Sequence, residues 1–400
     1  MDFEQKRWKC MVAAMVLALF AGIGYTWSVF QTPLMESFGW SLKTISLTFT
    51  IQVLTSTVAP VFLGKYQKTV GIGNYLRIGI VVYAGGLVAT MFTSSIGYLY
   101  IIYGLVVGTG IAMLYPCLMA YSGRLFPDKT GMASGLLACA YGSGALFWAP
   151  IASFFMQRFG VLKVFGLLAA IFAIVMIPVS FFIKSVPEDF RPQPKKVKKT
   201  NVNVASAVDY TWKEMLKSHK YYILVIALTL GATSGLMITG HASSMLQEVL
   251  SFSAKQAAFF VGLISVFNAL GRLASGAVSD YFGRYNVMMV LFAIVGGAMI
   301  LLTQSTGMIF VIALLAISSC YGGFTSMFSP VCADNFGLKN LAVNYSFLYV
   351  AYGLAGVIGP QVAAATKTAS GGYNLAFLIV AVMSAAGFLL VLFLKTERKR

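Results

Sequence analysis

Charge is scarce in this chain: only 10% of its 400 residues are Asp, Glu, Lys or Arg, and just 12 of those are acidic. With 58% hydrophobic residues and a mean hydropathy of +0.81, a water-facing globular surface is excluded, and lipid is the solvent for most of the chain. Histidine is rarer still, at two residues, and the five cysteines (Cys10, Cys117, Cys139, Cys320, Cys332) have no ligand spacing, so neither a metal, a disulfide framework nor a cofactor is called for. No Gly-x-x-x-x-Gly-Lys-Ser/Thr loop occurs, which argues against nucleotide-driven transport. A buried acid pair and a nucleophile–histidine pair are lacking too, so the sequence reads as a protein that is not an enzyme.

What is there is a series of long uncharged runs: 10–35, 44–64, 78–123, 130–157, 164–183, 221–247, 285–333, 340–366 and 368–394, with 256–279 interrupted by one arginine. A span needs roughly 20 apolar residues. The runs 78–123 and 285–333 are double length and are split by turn residues at Thr93–Gly97 and Gln304–Gly307, giving twelve transmembrane helices. The runs lack the alternation of barrel strands and greatly exceed their length. The basic start before the first run (Lys6, Arg7, Lys9) resembles a signal peptide, but the run is span length and is read as the first helix.

Laid on the loops, Lys and Arg fall mostly on the termini and even-numbered connections: Lys6, Arg7, Lys9, Lys65, Lys68, Arg77, Arg124, Lys129, nine residues from Lys184 to Lys220, Arg284, Lys339, Lys395, Arg398, Lys399 and Arg400, 23 of the 29. The odd-numbered connections hold Lys43, Arg158, Lys163, Lys255 and Lys367. This asymmetry predicts a multi-pass protein of the inner (plasma) membrane with both termini cytoplasmic. It also accounts for the net charge of +17 without nucleic acid. The connection Ser185–Lys220, with Lys195-Lys196-Val197-Lys198-Lys199 and three prolines, divides the spans six and six. It is read as a cytoplasmic strap beside anionic lipid, between halves at 1–184 and 221–400.

The halves are copies. At an offset of 212 residues Trp40-Ser41-Leu42-Lys43 matches Phe252-Ser253-Ala254-Lys255, and Gly64 to Gly71 matches Gly276 to Gly283. Ala140-Tyr141-Gly142 and Ala351-Tyr352-Gly353 follow at nearly the same offset. Parallel six-helix halves with a substrate held between them near the midplane are a transporter plan.

One charge, Arg272, is left deep inside a span. At a helix centre it costs roughly 2.5–3.5 kcal/mol. The twelve acids sit at termini, loops or span ends, so the sequence offers no deep carboxylate to offset it, and a transported anion completes the site. Guanidinium binds carboxylate through two parallel hydrogen bonds. Asn268, one turn earlier on the same face, can brace Arg272 or reach the substrate. His241 in span seven reads equally as a hydrogen-bonded core residue and as a pH-sensitive substrate contact.

The loop Gly276-Ala277-Val278-Ser279-Asp280-Tyr281-Phe282-Gly283-Arg284, on the twelve-span plan, resembles the major facilitator superfamily. That resemblance implies an all-α fold of two pseudo-symmetric six-helix halves, with Asp280 and Arg284 in a cytoplasmic latch. The first-half copy departs from it, with Lys68 at the aspartate position and Ile72 at the arginine. Gly22-Ile23-Gly24-Tyr25-Thr26-Trp27-Ser28-Val29-Phe30 and Asn268-Ala269-Leu270-Gly271-Arg272 look like the monocarboxylate porter and oxalate:formate antiporter group. The likeness implies a small carboxylate as substrate and places Tyr25, Trp27, Tyr115, Phe324, Phe347 and Tyr352 around a central cavity. Oxalate-transporting proteins of this kind carry a second cation, a lysine, in span eleven; here Tyr352 stands there. One arginine neutralises a monoanion, whereas a dianion keeps an uncompensated charge. The sequence therefore predicts a monomeric, proton-linked carrier of monocarboxylates such as lactate or pyruvate, with organic-anion exchange as the alternative.

Overall fold

The computed structural model describes residues 3–187, 190 and 209–397. The basic run at 195–199 and the terminal residues 398–400 lie outside them, as do the side chains of Tyr25, Lys43 and Lys255. Eleven helices are long and apolar enough to cross a membrane, and a shorter apolar stretch, Leu47–Leu63, supplies the twelfth span. Span one runs Phe3–Ala21, tightens to a 3-10 turn at Gly22–Thr26 and continues as Trp27–Phe38. Spans two and three are Leu42–Leu63 and Ile72–Thr90. Span four, Ile96–Leu125, contains a π-helical stretch at Tyr100–Val107, and span five, Thr130–Phe159, breaks at Ser143. Span six is Val161–Ser180. Spans seven to twelve are His219–Leu250, Ala254–Phe282, Arg284–Leu302, Gly307–Phe336, Leu341–Ser370 and Asn374–Glu397.

The duplication read from the sequence is written in the backbone. Ser41 caps span two by accepting from the Thr44 amide, and Ser253 caps span eight through Gln256 in the same way. Gly71 and Gly283 turn the chain into spans three and nine with φ of 77° and 85°, a region that disfavours any residue with a Cβ. Where Gly39 ends the first span at φ 69°, Ser251 ends the seventh at φ 55° without that freedom.

The first and last described helices have their outer ends, at Arg7 and Glu397, on one face, here called the basic side. Arg7 pairs with Asp128 of the four–five connection at 2.8 Å, and Glu397 meets His219 at the start of span seven at 2.8 Å. The two halves meet between this side and the midplane. Ser134 of span five donates to the Ser326 carbonyl of span ten (3.0 Å), and Ser329 donates to the Met119 carbonyl of span four (3.2 Å). Gly131 and Gly276 bring spans five and eight into backbone contact, which a side chain at either position would obstruct. Gly64 of span two packs in the same manner on Ser346 of span eleven.

Candidate functional site

Arg272 is 2% exposed, at the seam between the halves. Its Nε donates to Asn268 Oδ1 at 2.9 Å, the i,i+4 brace that the sequence spacing predicts. Asn268 is fixed in turn, since its Nδ2 donates to the Ser318 carbonyl of span ten at 3.2 Å. From the other half, the Ala138 carbonyl of span five accepts from Nη1 at 3.1 Å. Gly142, one turn further along span five, makes room for the head group: a Cβ there would stand 3.1 Å from the guanidinium carbon. An arginine held by a side-chain amide of one half and a backbone carbonyl of the other must rearrange when the halves separate.

Around this arginine stands a cluster of tyrosines drawn from both halves. Tyr115 of span four stacks on Tyr141 of span five, with centroids 3.9 Å apart, and faces Tyr349 of span eleven at 5.9 Å. Tyr349 stacks between Tyr352 at 5.3 Å and Tyr345 at 5.5 Å. The Tyr352 hydroxyl reaches that of Tyr321 in span ten at 3.0 Å. Positions 345, 349 and 352 share one face of a helix that turns roughly 100° per residue. The sequence singles out Tyr115 and Tyr352 as cavity residues, shows Tyr141 only within the repeated Ala-Tyr-Gly stretch, and gives Tyr321 and Tyr345 no role. The i, i+4, i+7 spacing on span eleven was the signal that could have found Tyr345 and Tyr349.

Four other expected members lie elsewhere in this structure. Phe347 lies about 200° around span eleven from Tyr345 and stacks on Trp212 outside the membrane spans, 5.5 Å centroid to centroid. Phe324 is fully buried inside its own half, its ring filling the space left by Gly231 of span seven and packing on Phe292 at 4.5 Å. Trp27 is 2% exposed and packs on Tyr103 within the first half at 4.4 Å. His241 shares a hydrogen bond with the Pro360 carbonyl at 3.3 Å and lies toward the far end of span seven, beside Tyr373. Span seven packs on Tyr321 at Gly235, and six residues of helix carry His241 about 9 Å beyond that level. Tyr25 lies in the 3-10 turn of span one, and its side chain is outside the described residues.

At the basic end, Asp280 and Arg284 join a network that crosses the seam. Asp280 accepts from the Gly131 amide at 2.9 Å and the Met132 amide at 2.7 Å, so a carboxylate of one half caps the positive end of a helix of the other. Arg284 pairs with Asp280 at 2.6 Å and with Asp334 at 3.3 Å, and donates to Thr130 Oγ1 at 2.7 Å. Asp334 was read as an ordinary span-end acid, yet its side chain is 1% exposed; the partner that allows this is 50 residues away in sequence. At the matching place in the first half, Lys68 donates to Asn340 Oδ1 at 2.7 Å. Asn340 is the N-cap of span eleven and also donates to the Tyr210 carbonyl at 3.0 Å.

The family model of the Major Facilitator Superfamily matches residues 12–360, with a second match over 278–400. The chain is 31% identical over 393 residues to the oxalate:formate antiporter of Oxalobacter formigenes, covering 97% of this chain and 91% of that one. With human monocarboxylate transporter 12 the identity is 22%, over 88% of this chain and 72% of the relative. Among solved structures, the transporter FucP in its outward conformation superposes with a TM-score of 0.75 at 14% identity, covering 96% of this chain and 98% of FucP. A twelve-helix membrane fold, a charged network across the seam of its halves and these matches together lead to one conclusion: the chain belongs to the Major Facilitator Superfamily and is one of its membrane transporters.

Proposed function

We propose that this transporter moves small monocarboxylates such as lactate or pyruvate across the inner membrane by proton-coupled symport. The observation that carries the reading is Arg272, a buried guanidinium at the seam, held from both halves. A carboxylate replaces the Ala138 carbonyl at Arg272 and forms two parallel charge-assisted hydrogen bonds. With Tyr352 in place of a second cation, the loaded site is neutral for a monoanion and carries excess charge for a dianion. Tyr115 and Tyr352 line the bound acid, and Asn268 keeps the guanidinium oriented.

The basic side is the cytoplasmic one, in keeping with the distribution of Lys and Arg. Closure there, with Asp280 and Arg284 across the seam, then corresponds to an outward-facing carrier that works as a monomer between halves joined by the linker 185–220. Neutralising Arg272 lets the loaded carrier reorient. The proton travels with the acid or on His241, or coupling arises through Arg272 being free to release its anion.

The likeness to the oxalate:formate antiporter favours a second reading, exchange of one organic anion for another. Uptake of labelled lactate, pyruvate, acetate and oxalate into proteoliposomes decides between the two. Stimulation of the monoacids by an inward proton gradient supports symport. Oxalate uptake that needs preloaded formate and no gradient supports exchange.

A further inference from the structure

Tyr345 is fully buried, and among the described residues its hydroxyl has no hydrogen-bond partner. A buried unpaired hydroxyl is uncommon in a folded protein and calls for a physical reason. Packing alone is a poor one, because phenylalanine fills the same volume without a polar atom to leave unsatisfied. The ring is not isolated: it stacks on Tyr349 at 5.5 Å with an interplanar angle of 19°, and Tyr349 faces Tyr115 across the seam at 5.9 Å. The hydroxyl interacts electrostatically with Tyr115, Cys332 and Tyr141 and, less strongly, with Arg272. It shares a helical face with Tyr349 and Tyr352 and sits on the basic side of both. Among the described residues the Tyr345 hydroxyl thus keeps both its donor and its acceptor capacity unused on the face of span eleven that carries the tyrosine cluster.

We propose that Tyr345 is a specificity residue that recognises a 2-hydroxy or 2-oxo group on the monocarboxylate bound by Arg272. The inference rests on the monocarboxylate reading and narrows it, from short monoacids in general to those with an oxygen on the carbon beside the carboxylate. With the carboxylate on Arg272, the 2-oxygen is the nearest polar atom of the substrate and can accept from the Tyr345 hydroxyl; a 2-hydroxyl can also donate to it. Propionate has the carbon skeleton of lactate and pyruvate without that oxygen. It leaves the Tyr345 hydroxyl unsatisfied, whereas the 2-substituted acids satisfy it. A site with a hydrogen-bonding group waiting for a substrate oxygen discriminates against the analogue that lacks it.

The test compares L-lactate, pyruvate and propionate uptake by proteoliposomes of the wild type and of Tyr345→Phe, which keeps the ring and its stacking. The proposal expects the wild type to favour lactate and pyruvate over propionate in kcat/KM by about tenfold, the equivalent of one hydrogen bond. In Tyr345→Phe that ratio falls to near one, with folding and insertion verified separately by the size-exclusion profile and the protease accessibility of the reconstituted protein. An unchanged ratio in Tyr345→Phe overturns the proposal, and so does an equal loss of all three acids, which makes the hydroxyl structural. A wild type that carries the monoacids without preferring the 2-substituted ones overturns it while leaving the monocarboxylate reading in place. A wild type that carries none of them, with orientation and folding verified, overturns both.

Discussion

Arg272 combines two demands that pull against each other. Its head group is buried at the seam, yet it is bonded to both halves of a protein whose cycle separates them. Substrate resolves the conflict if it supplies to the guanidinium what Ala138 supplies in this state. Arg272→Ala is expected to lower uptake by about a hundredfold or more, the range for removing one partner of a buried charge-assisted pair. Arg272→Lys, which keeps the charge without the planar fork, should retain only about a tenth of wild-type uptake. Near-normal uptake by either protein, shown to be inserted, would remove the arginine from the site. Tyr352 is expected to set the charge the site accepts. Tyr352→Lys adds a second cation to the tyrosine cluster, and it should raise oxalate uptake relative to lactate by about tenfold, measured as the ratio of initial rates. At this scale the sequence was informative where chemistry is explicit and weak where direction matters. An arginine in an apolar run stands out without a structure, and Asn268 follows from the i,i+4 spacing. Phe324, Phe347 and Trp27 did not join the cluster because an aromatic residue in a span packs equally well on its own half or on the linker, and only the neighbours decide. Gly231 opposite Phe324 and Trp212 opposite Phe347 are such neighbours, distant in sequence.

The helix ends carry the conformational control. Asp280 completes the first turn of span five from the opposite half, while its counterpart Lys68 reaches the N-cap of span eleven through the Asn340 side-chain oxygen. An acid at a helix N-terminus is worth about 0.3–1 kcal/mol, and a cation there is unfavourable, so the two latches differ in strength by design of their charge. Lys68→Asp should strengthen the weaker one, holding the basic side closed and slowing turnover about two- to fivefold at unchanged substrate affinity; Asp280→Asn should shift accessibility of a reporter thiol on the basic side the opposite way. Faster turnover in Lys68→Asp would contradict this view of the seam. The short helix Trp212–Lys217 has a titrating fastening of its own. Hydrogen bonds from the Thr211 backbone amide and hydroxyl hold the Glu214 carboxyl below its usual range. Its support is therefore present above the ordinary carboxylate pKa and is lost as pH falls through the lowered value, which hydrogen exchange of the Glu214 amide at pH 7 and below pH 4 should report. The span boundaries were legible because uncharged runs and turn glycines mark them, and the caps at Ser41 and Ser253 follow from sequence. The broken geometry of spans one, four and five was not, since a 3-10 turn or a π stretch leaves the hydropathy pattern intact.

The whole molecule is two six-helix halves that meet on the basic side, with Arg272 and a cluster of tyrosines from both halves at their seam. The twelve-span plan was readable from run lengths, the duplication from matching caps and glycines, and the side shared by the termini from the count of spans. The burial of Asp334 was not readable, because a charge at a span end looks the same whether it meets water or an arginine 50 residues away. In the proposed cycle Arg272 carries one monocarboxylate together with a proton. The most direct measurement is labelled lactate uptake by wild-type and Arg272→Ala proteoliposomes, with and without an inward proton gradient and with no internal anion. The account predicts gradient-stimulated uptake in the wild type and none above background in the variant. Uptake that ignores the gradient and appears only when formate or another anion is loaded inside would contradict it.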